Sequence, residues 1–173
     1  MLAYVFSHRP APGGDVDEYE EVLRDFHRLL ASSSLDGFVS SSTYRIGDGY
    51  SDWYLVDSSA ALDALNEVAV TGARAASHHA AARMAVDGVG KLLSLADGKP
   101  DPEARVEARF AKPPGMPYAD LYAALRPITA SAGGALWRRM MVLGPPPEFC
   151  LTSAARVEMP AAIRAEALER TRI

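Results

Sequence analysis

A chain of 173 residues is the length of one ordinary domain or two small ones, and its 49% apolar against 23% charged residues excludes a disordered polymer. A net charge of −4 excludes the basic stripe that a nucleic-acid partner demands. No run approaches the roughly 18 apolar residues of a membrane span, the apolar N-terminal segment stops at His8-Arg9, and one cysteine permits no internal disulfide, so the sequence reads as cytoplasmic, without a membrane partner.

Residues 2–8 read as a strand and 10–14 as a turn. Asp15 is placed to cap a helix, with Glu18 at its third position. Tyr19, Val22, Leu23, Phe26, Leu29 and Leu30 then share one helical face. Residues 32–36 read as a loop, 38–46 as a strand, 47–49 as a turn and 53–56 as the strand closing a hairpin. Ser59 can cap a second helix, which Gly72 interrupts and Ser77 restarts through Asp87. Gly88 and Gly90 would end that helix, and 91–96 would form a fourth strand. This order is β-α-β-β-α-β, the ferredoxin-like unit.

After a linker near 97–102 the order resumes: strand 104–111, helix 118–129, strand 136–143, a turn at Pro145-Pro146-Pro147 and strand 149–152. Pro160 opens a short helix, and 166–173 extends it or gives a last strand, the repeat favouring a strand. Pro12-Gly13 recurs as Pro114-Gly115 and Leu23-Arg24 as Leu125-Arg126, a shift of 102. Gly37 and Gly47 recur as Gly134 and Gly144 at a shift of 97, and Trp53-Tyr54-Leu55 matches Phe149-Cys150-Leu151 at 96. The expected organisation is α+β: two ferredoxin-like repeats, 1–98 and 103–173, the second shortened near its end. Helices cover one face of each sheet, and the strands are apolar on both, so the two sheets would pair as an intramolecular barrel.

On this element order and duplication the chain resembles the dimeric α+β-barrel superfamily in a fused, tandem form. Relatives include antibiotic-biosynthesis monooxygenases, haem-degrading enzymes, chlorite dismutases and muconolactone isomerases. The resemblance implies a site between sheet and helices or within the barrel, and a second chain could still associate as a homodimer.

Candidate chemistry is sparse. His8 ends the first strand on the face of Tyr4 and Phe6, where the sister copy has Phe110, and could act as a general base or be a surface histidine. Ser40, Ser42 and Tyr44 form a hydroxyl row that could bind a polar ligand or mark a solvated strand. Trp53 and Trp137 would supply apolar walls. Arg138 and Arg139 point to opposite faces, so at least one is enclosed and needs a carboxylate or an acidic ligand, Arg139 being the one beside Trp137. Relatives that bind haem ligate it through a helical histidine, which makes His78 and His79 the first haem candidates and His27 a distant third; adjacent histidines do not chelate one metal well. Cys150 reads as a buried small hydrophobe, and Gly88-Val89-Gly90-Lys91 lacks phosphate-loop spacing. The leading expectation is a small-molecule-binding protein or cofactor-independent, monooxygenase-like enzyme with His8 as base. Against it stands a non-catalytic scaffold or interaction domain with a self-filled barrel, and third, haem binding.

Overall fold

A computed structural model describes residues 1–32 and 34–173, without the side chain of residue 73; Ser33 of the expected 32–36 loop lies outside the described residues. Its elements are β1 (Leu2–Pro10), α1 (Val16–Ala31), β2 (Phe38–Ile46), β3 (Gly49–Val56), α2 (Ala60–Val70), α3 (Gly72–Met84), β4 (Ala85–Gly98), β5 (Val106–Phe110), α4 (Tyr118–Ser131), β6 (Ala135–Arg139), β7 (Phe149–Ser153) and β8 (Ala165–Arg172). The fold is α+β: β1-β3-β2 form one antiparallel run and β8-β5-β7-β6-β4 another. Contacts gather into two units, Met1–Gly90 with Ile173, and Lys91–Arg172. No helix among the described residues is long and apolar enough to cross a membrane.

In the first unit β3 lies between β1 and β2, antiparallel to both. Residues opposite each other share a face. Tyr4, Phe6 and His8 therefore align with Tyr54, Asp52 and Tyr50, while Ala3, Val5 and Ser7 align with Leu55, Trp53 and Ser51 on the other face. α1 starts where the sequence places it: the Asp15 carboxylate accepts from the backbone N–H of Asp17 at 2.9 Å and of Glu18 at 3.1 Å. Its buried face is Tyr19, Leu23, Phe26 and Leu30, but Leu29 is exposed and His27 is buried in its stead. Helical periodicity could not show this exchange, because an acidic partner on β3 draws His27 inward.

The helical stretch after β3 departs from expectation. α3 begins at Gly72, whose φ is +59°, and ends at Met84, and β4 begins at Ala85. Gly88 and Gly90 therefore end no helix. They lie within β4, where a Cβ would stand 2.5 Å from Phe6 Cζ and 2.6 Å from the Tyr4 hydroxyl respectively. These glycines are required by close approach to two rings.

Among the described residues the second unit has no helix between β7 and β8. The expected strand 136–143 stops at Arg139, because its guanidinium donates to the Gly144 carbonyl at 2.8 Å and the chain loops out. Met141, at φ +47°, and Val142 are 76% and 81% exposed. The helix expected at Pro160 is a turn, closed by Ile163 N–H to the Pro160 carbonyl at 2.8 Å, and the last strand is present as β8. Phe110, Leu121, Leu125, Leu136, Phe149, Leu151 and Ile163 pack between α4 and the sheet. Phe149 is thus on the helix side, whereas Trp53 faces away from its helices. The shift of 96 thus pairs residues on opposite faces, and because side chains alternate along a strand it must change by one residue to bring like faces together.

Candidate functional site

The helix-side face of β1 and β3 carries polar groups where a packed sheet face should be apolar. Asp52, 4% exposed, is the most demanding of them, since a buried carboxylate needs compensation. His8 Nε2 lies 3.2 Å from Asp52 Oδ2 and His27 Nε2 3.5 Å from Oδ1, both as ion-pair contacts off the line of an ideal hydrogen bond. The Tyr54 hydroxyl donates to Oδ2 at 3.3 Å. Burial alone would raise the Asp52 pKa, but the two imidazoles outweigh it and hold the carboxyl well below the usual range. Asp52 is therefore a fixed anion with a histidine on each side.

His8 is held on all sides. Its ring stacks with Phe6 at 5.4 Å and with Tyr50 at 5.9 Å between centroids. Asp52 faces Nε2 and so favours the proton on that nitrogen, which leaves Nδ1 as an acceptor for the Tyr19 hydroxyl at 2.5 Å. Burial first, then the charge of Asp52, pushes the Tyr19 and Tyr54 hydroxyls up, so both remain O–H donors at neutral pH. The resulting order, Asp52 to His8 to Tyr19, has the logic of a triad: an anion orients an imidazole, and the imidazole can accept a proton from a hydroxyl. Glu20 steadies the neighbouring turn of α1 by accepting from Arg24 at 2.8 Å, from the Tyr50 hydroxyl at 2.8 Å and from Arg45.

Two adjoining cavities open beside this group, of about 340 and 370 Å³. Both are bounded by Phe6, Phe26, Tyr54 and His78; the first reaches His8, Tyr19 and Asp52, and the second is closed by Leu62, Leu65 and Ala69. His78 on α3 presents a buried Nδ1 without a hydrogen-bond partner, and burial, followed by the charge of His79, lowers its pKa. His79 is exposed, its ring 5.7 Å from that of His78.

Of the residues singled out in the sequence, His8 is at this site. Ser40, Ser42, Tyr44 and Trp53 align with the opposite face of the sheet, the Trp53 indole donating to Ser51 Oγ at 3.1 Å. Trp137 and Arg139 belong to the second unit, as does Arg138, which pairs with Glu148 at 2.9 Å over the Tyr118 ring. Cys150 is a buried thiol whose pKa burial pushes up. His27 serves Asp52. Sequence reasoning misses Asp52, Tyr19 and Tyr54 as site residues: the strand read from the sequence starts at Trp53, which puts Asp52 in the loop between the 47–49 turn and that strand. The available signal was an aspartate alternating with Tyr50 and Tyr54 inside an otherwise apolar strand.

No family model and no curated protein matches the chain; solved structures do. A candidate monooxygenase from Lactobacillus acidophilus NCFM superposes with a TM-score of 0.68 at 8% identity, covering 99% of this chain and 93% of its own. An anthrone oxidase-like protein gives 0.56 at 9% identity, covering 98% and 91%. A candidate chlorite dismutase gives 0.58 at 13% identity, covering 99% and 94%. The chain has the fold of the dimeric α+β-barrel proteins.

Proposed function

We propose that the first unit binds a small, largely apolar organic molecule carrying one acidic proton, and that His8, backed by Asp52 and acting through Tyr19, removes that proton. The observation that carries this reading is the buried Asp52, His8, Tyr19 series ending at an apolar cavity of about 340 Å³. A volume of that size is at the small end of ligand pockets. Tyr19 gives its own proton to His8 Nδ1 as it accepts the substrate's. The transfer is concerted, because a free tyrosinate next to Asp52 is disfavoured. The imidazolium that results is stabilised by Asp52.

The monooxygenase and anthrone oxidase-like neighbours suggest the step that follows. A carbanion so formed can reduce dioxygen: one oxygen atom enters the substrate carbon, and the other leaves as water with the two hydrogens that carbon held. Anthrone is the probe. It should consume dioxygen and give anthraquinone and water, with turnover about 100-fold lower in His8→Gln. Equal turnover in wild type and folded His8→Gln, or none in either, would sink the reading.

Haem fits these residues poorly. His78 offers an imidazole, but among the described residues no lysine or arginine lines either cavity to meet two propionates, and Asp52 already places an anion there. Among the described residues no three metal-ligating groups converge on a metal position.

Gly88 lines the cavity beside Phe6. In Gly88→Ala the new methyl group, 2.5 Å from Phe6 Cζ, must push that ring toward the cavity. Binding of 2-naphthol, followed by its fluorescence, should weaken by about tenfold, with at most about 2 kcal/mol lost from stability. Unchanged affinity would mean that the ligand does not contact Phe6.

A further inference from the structure

We propose that the sheet face of the second unit turned away from α4 binds a small organic carboxylate, held by Lys91, Arg109 and Arg139. This is independent of the reading above and uses residues of the second unit only. Strand register assembles the face. Arg139 and Trp137 on β6 oppose Leu93 and Leu95 on β4, and Lys91 lies two residues from Leu93 on the same side. Cys150 opposes both Trp137 and Arg109, Thr152 opposes Glu107, and Leu168 and Glu166 on β8 oppose Glu107 and Arg109.

The cations on this face, Lys91, Arg109, Arg139 and Arg170, outnumber its carboxylates, Glu107 and Glu166. Glu107 is 3% exposed and already engaged: Oε1 accepts from Arg109 Nε at 2.7 Å, and Oε2 is 3.8 Å from Arg170 Nη1. Glu166 is exposed. The remaining capacity is cationic. Among the described residues Lys91 Nζ reaches only the Pro147 carbonyl, at 3.2 Å. Arg139 spends Nη1 on the Gly144 carbonyl and keeps a buried Nε without a partner. Arg109, 26% exposed at its side chain, uses only its Nε among the described contacts. Burial, and next the charge of Arg109, lowers the Lys91 pKa, as expected of a cation set among cations. Partly desolvated positive charge in excess calls for an anion, and guanidinium forks suit a carboxylate. Trp137, Leu93 and Leu168 border the cations, which favours an anion with an apolar body over a bare inorganic one.

Benzoate, its neutral counterpart benzyl alcohol and inorganic phosphate, each titrated calorimetrically into the full chain at constant ionic strength, test this. Benzoate should bind saturably and benzyl alcohol should not. Lys91→Gln and Arg139→Gln should each weaken benzoate about tenfold, and Lys91→Arg should retain it. Circular dichroism shows whether each variant is folded, and Lys91, held by one backbone carbonyl, is the safer site for substitution. Benzyl alcohol binding as well as benzoate, phosphate matching benzoate, or folded Lys91→Gln and Arg139→Gln binding like wild type would each overturn the proposal.

Discussion

Replacing Asp52 with asparagine should lower stability by about 2 kcal/mol at neutral pH, within the range for losing polar contacts to a charged group. The side chain keeps its shape and loses its charge, so His8 and His27 lose the anion both face. The pH dependence makes the assignment specific. Asp52 has a folded pKa depressed below the unfolded value of about 3.9. Its contribution is therefore full above that value and is lost as the pH falls through the lower, folded one. Urea denaturation of both proteins should show a gap that narrows as the pH drops below about 4. A gap under about 1 kcal/mol, or one that widens in acid, would show that the imidazoles do not depend on this carboxylate.

Tyr19→Phe should leave the fold intact and cut turnover of anthrone by about 100-fold, because the phenyl ring cannot carry a proton between substrate and His8 Nδ1. The stability loss should be about 1–2 kcal/mol, for one buried acceptor left without its donor. Nitrogen NMR of the His8 ring provides a readout that needs no substrate. In wild type, Nδ1 should show the shift of a strongly hydrogen-bonded acceptor, and in the variant that of a free one. Full turnover in the variant would mean that substrate reaches His8 directly, and the relay through Tyr19 would be abandoned.

Much of the architecture was legible because it rests on local chemistry. Asp15 followed by an apolar stripe at helical spacing defines α1, and alternating strands around turn residues define the sheets. The misreadings occurred where a residue's role depends on something distant in sequence. Gly88 and Gly90 look like helix ends until Phe6 and Tyr4 are seen pressed against them. Leu29 and His27 exchange burial because of Asp52, on another element. The site was half visible. His8 is set apart by its sister position Phe110, whereas Asp52 was hidden by a strand that begins earlier than its composition suggests, at Gly49. The serine row stood out as chemistry but lies on the face opposite His8.

The second unit fills the space between its helix and its sheet with stacked Phe110 and Phe149, their centroids 5.4 Å apart, together with Leu121, Leu125 and Ile163. A barrel made from two identical chains presents every pocket twice. In this chain the helix side of the second unit is filled with apolar side chains, whereas that of the first keeps two cavities, one of them reaching His8, Tyr19 and Asp52. On the proposed reading a ligand of those cavities binds once per chain, and its titration should end at one equivalent.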